Sequence, residues 1–259
     1  MRKALVAGNW KMHGRLNQNS DLISNLVKHL QPLASSIDIA VCPPLIYLHQ
    51  VSGLLASSGI ALGAQDLSRF ADDGAHTGEA SAAMLSDMAV SYVLIGHSER
   101  RSEQQESNQQ IAVKIRNALA ARVTPILCVG ESLVEREAGQ EEVVIAQQLS
   151  QALQSLESAK LDTLVIAYEP VWAIGTGKTA TPEQAQRVHR FMRQYLAQNH
   201  SKALADKITL IYGGSVKASN AEQLFNQPDI DGGLIGGAAL IPEEFIAICR
   251  AAAASQELS

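Results

Sequence analysis

Cysteine is scarce in this chain of 259 residues, and long apolar runs are missing from it. The three cysteines, Cys42, Cys128 and Cys249, are odd in number and form no C-x-x-C pair, which argues against a disulfide scaffold or a zinc site. No run approaches the roughly 18 apolar residues of a membrane-spanning helix. The apolar stretch that follows Met1 is too short for a signal-peptide core. We therefore expect reduced thiols, no membrane association and a cytoplasmic location.

The chain also has no excess of positive charge. Its formal net charge is −5, which argues against non-specific binding to nucleic acid or to anionic membranes. A small anionic substrate stays possible if positive charge is concentrated locally. No linker or mixed low-complexity segment divides the chain, so we expect one domain over residues 1–259.

Short apolar runs alternate eight times with longer amphipathic stretches. The runs are continuous in Val, Ile, Leu and Ala, as is typical of parallel strands covered on both faces. Strand-then-helix alternation implies parallel strands with right-handed crossovers, and eight such units favour a closed (β/α)8 barrel, a TIM barrel, over a doubly wound sheet. The predicted strands are Ala4–Asn9, Ile37–Val41, Ile60–Ala64, Val90–Ile95, Val123–Cys128, Leu164–Tyr168, Ile208–Ile211 and Ile230–Ile235.

The glycine pattern argues against a dinucleotide cofactor. A dinucleotide-binding sheet has G-x-G-x-x-G after its first strand, whereas here Gly8-Asn9-Trp10-Lys11 follows. The sequence also has no recognisable cluster of metal-ligating residues. We therefore expect neither a cofactor nor a metal.

A carboxylate ends the sixth predicted strand. Glu169 precedes Pro170, which biases it to an extended conformation and ends regular pairing there. After a glycine-containing loop, Thr181 is the predicted N-cap of a helix, with Gln184 as its capping-box partner. In a parallel barrel the carboxyl ends of the strands carry the catalytic residues. A solvated loop carboxylate is the alternative interpretation of Glu169 alone.

The first and fourth predicted strands also end in polar groups. Lys11, two residues after Asn9, offers fixed positive charge for an anion, although a lone lysine is commonly a solvated surface charge. His97 lies at a strand-to-helix junction, where a helix N-terminus disfavours imidazolium. A neutral ring can donate a hydrogen bond to a carbonyl oxygen. Sequence neighbours seldom face each other, which argues against a hydrolase triad with Ser98. Glu99 suits a structural partner of Lys11 or of a neighbouring backbone better than a second base.

Adjacent glycines follow the last two predicted strands. Gly213 and Gly214 precede Ser215, and Gly236 and Gly237 follow strand eight. Such glycines let backbone N–H groups approach an anion, and the ends of strands seven and eight are the usual phosphate site of a barrel. A single Gly-Gly pair is equally typical of an ordinary turn.

Three of these segments together resemble one known family. Ala167 through Gly177, Asn9-Trp10-Lys11 and Gly96 through Arg101 are similar to the active-site motifs of the triosephosphate isomerases, and the resemblance extends over essentially the whole chain. It implies the interconversion of dihydroxyacetone phosphate and glyceraldehyde 3-phosphate through an enediolate, without metal or redox cofactor.

The resemblance also implies residue roles. Glu169 is the expected base, His97 the electrophile, and Asn9 and Lys11 complete the catalytic and substrate-binding set. Phosphate is expected on the N–H groups of Gly175, Ser215, Gly236 and Gly237. A mobile lid is expected over Pro170, Val171, Trp172, Ala173, Ile174, Gly175, Thr176, Gly177 and Lys178.

Finally, the resemblance implies a homodimer. The long stretch 65–79 would dock into a second copy, with Thr77 near the Asn9 and Lys11 of that copy and Glu99 as structural support. His76 stands where many family members carry Phe, which bears on the filling of the dimer pocket. Two other hypotheses stay open: a different phosphosugar enzyme with the same phosphate site, and a non-catalytic phosphate-binding or scaffold protein.

Overall fold

The structure is a computed structural model that describes residues 2–154, 156, 161–173 and 179–257. Eight strands form a closed barrel in chain order, every pair is parallel, and β8 returns to β1. The TIM-barrel prediction is therefore confirmed. The strands are β1 (Leu5–Asn9), β2 (Asp38–Cys42), β3 (Ala61–Ala64), β4 (Tyr92–Ile95), β5 (Thr124–Val129), β6 (Val165–Tyr168), β7 (Thr209–Tyr212) and β8 (Gly232–Ile235).

Helices surround this barrel and bury their apolar sides against it. In the first helix Leu22, Ile23, Leu26 and Leu30 are buried, as the amphipathic pattern of this segment requires. The described helices are α1 (Leu16–Leu30), α2 (Leu48–Leu54), α3 (Ala82–Asp87), α4 (Ser98–Glu103), α5 (Asn108–Ala120), α6 (Leu133–Glu137), α7 (Glu141–Leu153), α8 (Pro182–Asn199), α9 (Lys202–Lys207), α10 (Ala221–Phe225) and α11 (Pro242–Glu257).

Each predicted strand begins before the observed strand, because the apolar run in the sequence starts before the hydrogen-bonded pairing of the strand does. Ala4, Val90 and Ile230 are buried, yet each precedes the first paired residue of its strand. Their side chains belong to the core that also holds the apolar sides of the helices. An apolar run therefore predicts which residues are buried, whereas the pairing with neighbouring strands defines where the strand begins.

The strands divide their side chains between two cores. Val6 and Ile166 belong to the layer between barrel and helices, while Leu5, Ala7, Val165 and Ala167 fill the barrel interior. Because side chains alternate along a strand, the next inward positions after Ala7 and Ala167 are Asn9 and Glu169. The fold itself therefore directs these two polar residues into the mouth of the barrel.

The expectations of unpaired cysteines, no membrane-spanning helix and no metal site can be compared with the described part of the chain. All three cysteines are buried and unpaired, and burial raises the pKa of the Cys42 thiol to about 12. None of the described helices is long and apolar enough to cross a membrane. No group of His, Cys, Asp or Glu in these residues is arranged to hold a metal ion.

The cap of α8 gives a stability prediction. Thr181 accepts the backbone N–H of Gln184, and the Gln184 side chain returns to the N–H of Thr181, which confirms the predicted capping box. We expect Thr181→Ala to lower the free energy of unfolding by about 1 kcal/mol, because an N–H of the first turn loses its partner. Urea unfolding followed by circular dichroism measures this loss. Thr181→Ser keeps the hydroxyl and should be nearly neutral; equal losses in both variants would contradict the capping argument.

Candidate active site

A pocket of about 330 Å³ opens at the carboxyl ends of the strands. The ends of β1, β4, β6, β7 and β8 all contribute to its wall. It brings together most of the predicted site residues that the structure describes: Asn9, Lys11, His97, Glu169, Ser215, Gly236 and Gly237. Glu99 and Thr77, which were predicted as structural support, do not line it.

Glu169 is held at this mouth by its backbone and by both carboxylate oxygens. Its N–H donates to the Val129 carbonyl at 2.7 Å, which continues the ladder one residue beyond β6. Oε2 accepts the backbone N–H of Ser98 at 3.1 Å, and Oε1 lies 3.1 Å from Nε2 of His97. A Cβ on Gly213 would come within 2.8 Å of the Glu169 Cγ, so a bare backbone is needed there. The carboxylate is 2% exposed and thus shielded from bulk water.

His97 is the N-cap of α4. Gly96, with φ of 72°, turns the chain out of β4 in a conformation that favours glycine. Arg101 fixes this turn by donating from Nε to the Gly96 carbonyl at 2.7 Å. The Nδ1 atom of His97 accepts the N–H of Glu99 at 3.3 Å. A neutral ring in this arrangement carries its proton on Nε2, the nitrogen that faces Glu169.

Two opposing effects set the charge of His97. Burial of the ring lowers the pKa of His97, but the Glu169 carboxylate, through its charge and its hydrogen bond, raises it, and the net direction is upward. Sequence reasoning considered only the helix N-terminus, which favours the neutral ring. The net direction is therefore opposite to that expectation, because the carboxylate lies against Nε2.

Lys11 lines the pocket just after β1, and its backbone is held by two hydrogen bonds. Its backbone has φ of 51°, and its N–H donates to Oδ1 of Asn9 at 2.9 Å. Gln65, which was not among the predicted site residues, donates from its side chain to the Lys11 carbonyl at 2.8 Å. The ammonium lies 2.5 Å from Oε1 of Glu99. The predicted Lys11–Glu99 pairing is thus present in the structure.

The glycine pairs lie where a phosphate site was expected. Gly213, Gly214 and Ser215 follow β7, and Gly236 precedes a short 3-10 helix, Gly237–Leu240. A Cβ on Gly236 would lie 3.8 Å from Cε of Lys11, so the lysine stem runs beside this turn. The arrangement combines small backbone groups with a nearby ammonium, which suits a phosphate.

Glu131, a fully buried residue just beyond β5, was missed in the sequence. Its Oε1 accepts the Tyr168 hydroxyl at 3.0 Å, the Trp172 indole N–H at 2.8 Å and an N–H of Arg136 at 3.1 Å. Its carbonyl accepts the N–H of Val171 at 3.1 Å. Glu131 therefore anchors the start of the predicted lid. The rule that singled out Glu169, a carboxylate after a barrel strand, would have found it.

Only part of the predicted lid can be compared with the structure. Val171–Ala173 form a short 3-10 helix, and Ala173 lines the pocket. Ile174, Gly175, Thr176, Gly177 and Lys178 lie outside the described residues, and so does the predicted phosphate contact of Gly175.

The stretch 65–79 is tied down at its base. Asp66 pairs with Lys114 at 2.6 Å and with Arg100 at 2.8 Å. Near its tip the rings of Phe70 and His76 stack with centroids 3.5 Å apart. The His76 ring is therefore packed against Phe70 of its own chain. It does not simply leave empty the space that the larger Phe ring of many family members would fill.

Comparison with known proteins accounts for this combination of fold and pocket. A sequence model of the family described as triosephosphate isomerase matches residues 4–252. The chain belongs to the triosephosphate isomerase family. It is 56% identical to the triosephosphate isomerase of Thiobacillus denitrificans over 98% of this chain and 100% of the relative. The triosephosphate isomerase of Paracidovorax citrulli is 53% identical over 97% of this chain and 99% of the relative.

The coupling between the two site residues gives a titration prediction. Glu169→Gln keeps the side-chain size and removes the charge that raises the pKa of His97, so this pKa should fall relative to the parent protein. Nitrogen NMR shifts of labelled histidine rings against pH measure it. The resonances of His29, at the far end of α1, provide an internal control. An unchanged or higher pKa of His97 in the variant would contradict the assigned contact.

Proposed function

We infer that the protein interconverts dihydroxyacetone phosphate and D-glyceraldehyde 3-phosphate, as an intramolecular oxidoreductase of the aldose–ketose type acting in glycolysis and gluconeogenesis. The observation that carries this inference is the convergence of three groups on one pocket. The Glu169 carboxylate, the Nε2 of His97 and the Lys11 ammonium all face the space beside the glycine turns of β7 and β8. Family membership supplies the substrate pair.

Glu169 is proposed as the base. It removes the proton α to the carbonyl and returns it to the neighbouring carbon, so that a single carboxylate serves both halves of the reaction. Within the part of the chain that the structure describes, its oxygens contact the Ser98 N–H and Nε2 of His97. Burial keeps bulk water from exchanging with the proton in transit.

His97 and Lys11 are proposed to stabilise the charge that develops on the substrate oxygens. The Nε2–H of His97 donates to one oxygen and can pass a proton between the two. The Lys11 ammonium adds a fixed positive charge, oriented through Asn9, Gln65 and Glu99. Groups already aimed at the developing charge need little reorganisation during the reaction.

The substrate phosphate is proposed to bind the backbone N–H groups of Ser215, Gly236 and Gly237, and that of Gly175 in the lid. These turns line the same pocket as His97 and Glu169. Proton transfer between adjacent carbons needs neither a redox cofactor nor a metal. We therefore continue to expect no cofactor.

A coupled assay with the purified protein and glyceraldehyde 3-phosphate tests the function. Formation of dihydroxyacetone phosphate, followed through the reduction that consumes it, is the expected result. A protein that binds the triose phosphate without converting it would instead be a phosphate-binding protein. Absence of both binding and turnover would point to a different phosphosugar and would overturn the proposal.

Shortening the base tests the role of Glu169. Glu169→Asp withdraws the carboxylate by one methylene, and a misplacement of about 1 Å can cost on the order of 100-fold in rate. We expect kcat to fall by about that factor while KM changes little, and Glu169→Gln to lose more because it cannot accept the proton. Steady-state kinetics in both directions give these constants. A Gln variant with near-normal kcat would remove Glu169 from the base role.

We also propose that the protein is a homodimer, with Thr77 of each copy near Asn9 and Lys11 of the other. Support comes from a second cavity of about 340 Å³ beside the barrel mouth, lined by the base and the end of the stretch 65–79. Met12 lines this cavity and is 93% exposed in the single chain. An apolar side chain so exposed beside the active site is well suited to burial by a second copy.

Removing the tip of this stretch tests the dimer. Deletion of residues 69–74 removes the Phe70–His76 stack and should give monomers with weaker activity, because Asn9 and Lys11 lose support from the second copy. Sedimentation velocity measures the mass, and an unchanged far-ultraviolet circular dichroism spectrum shows that the barrel is intact. A parent protein that is fully active as a monomer at micromolar concentration would refute the proposal.

A further inference from the structure

A second lysine, Lys217, lines the wall of the active-site pocket. It lies two residues after Ser215 in the connection from β7 to α10, and its side chain is exposed. The pocket wall thus carries this cation close in sequence to one of the proposed phosphate-binding residues. None of the proposed chemical steps uses it.

The backbone around Lys217 is firmly held. Its N–H donates to Oδ1 of Asn220 at 2.8 Å, and the Asn220 amide donates back to the Ser215 carbonyl at 3.0 Å. The N–H of Ala218 donates to a carboxylate oxygen of Glu244 on α11 at 2.9 Å. These bonds hold the backbone at Lys217 in place, while the residue itself is exposed.

The charges around the pocket make Lys217 distinct from Lys11. The Lys11 ammonium is 2.5 Å from Glu99, so much of its field is compensated locally. No carboxylate of the described residues forms an ion pair with Lys217, although the Glu244 carboxylate contacts the next residue by accepting the Ala218 N–H. The whole chain carries a net charge of −5. Lys217 is therefore a positive charge at the pocket wall that forms no ion pair among the described residues, in a chain whose net charge is negative.

We propose that Lys217 is a substrate-capture residue, which attracts the phosphate dianion to the pocket before the proposed phosphate-binding turns engage it. This inference rests on the proposed function, since the captured ligand is the triose phosphate. A phosphoryl group carries a charge of about −1.5 to −2 at pH 7. Positive charge lining a cleft raises the local concentration of such an anion and its association rate.

Capture of this kind has a distinct kinetic consequence. A residue that acts only on the approach of the substrate changes kcat/KM and leaves kcat unaltered, because the bound complex reacts as before. The effect must also weaken with salt, since exposed charges are screened beyond about 8 Å at an ionic strength near 0.15 M. A merely structural role for Lys217 would show neither feature.

Four variants test the proposal in the full-length protein. Lys217→Gln removes the charge, Lys217→Glu reverses it, and Lys217→Arg keeps it. Lys28→Glu is the matched control, because it makes the same change in net charge at an exposed site near the end of α1, away from the barrel mouth. For each protein kcat and KM are measured with glyceraldehyde 3-phosphate at ionic strengths from roughly 0.01 to 0.3 M.

At low ionic strength we expect kcat/KM to fall about threefold for Lys217→Gln and about tenfold for Lys217→Glu. The losses should nearly vanish at about 0.3 M, kcat should be unchanged, and Lys217→Arg should match the parent. If Lys217→Glu behaves like Lys28→Glu, or if its loss lies in kcat or persists at high salt, capture by Lys217 is refuted. An inactive parent protein would instead refute the proposed function.

Discussion

The two-residue period of a strand in a closed barrel is the constraint on which the site depends. Every second side chain of β1 and β6 fills the barrel interior, so the residue two positions after Ala7 or Ala167 must point into the mouth. Asn9 and Glu169 occupy those positions. A one-residue shift of either strand would place its polar side chain among the helices and an apolar one at the mouth. The barrel core thus fixes the direction of these two site residues before any contact between them forms.

Within that frame, the Glu169 carboxylate links two strand ends. It hydrogen-bonds the first N–H of α4 and faces the ring that caps the same helix. The ring in turn accepts an N–H of α4 through Nδ1, which leaves Nε2 for the carboxylate or a substrate oxygen. Because the carboxylate raises the pKa of His97, any displacement of Glu169 from this contact returns the ring toward the neutral form. The position of the Glu169 carboxylate and the charge of the His97 ring are therefore coupled through a single contact.

The sequence was sufficient for the fold because each strand has a continuous apolar run and each unit repeats the same order. It was also sufficient for the cap at Thr181, which depends on local signals, and it offered the pairing of Lys11 with Glu99 as one of two alternatives, the one found in the structure. It could not supply the onset of each ladder, since Ala4 and Ile230 are as apolar as the paired residues that follow them. It also missed Gln65, because a contact with the Lys11 carbonyl depends on the packing of loops far apart in the chain.

The left-handed backbone of Lys11 has a consequence for the balance between stability and activity. A residue with a Cβ in this region is strained by about 1 kcal/mol or more, whereas glycine adopts it freely. Replacing Lys11 by Gly would relieve that strain and would also remove the ammonium from the pocket. Stability alone would thus favour glycine at this position. The lysine thus occupies a conformation that glycine would adopt more easily, and the rest of the barrel must supply the difference in folding free energy. The proposed role of its ammonium would account for that cost.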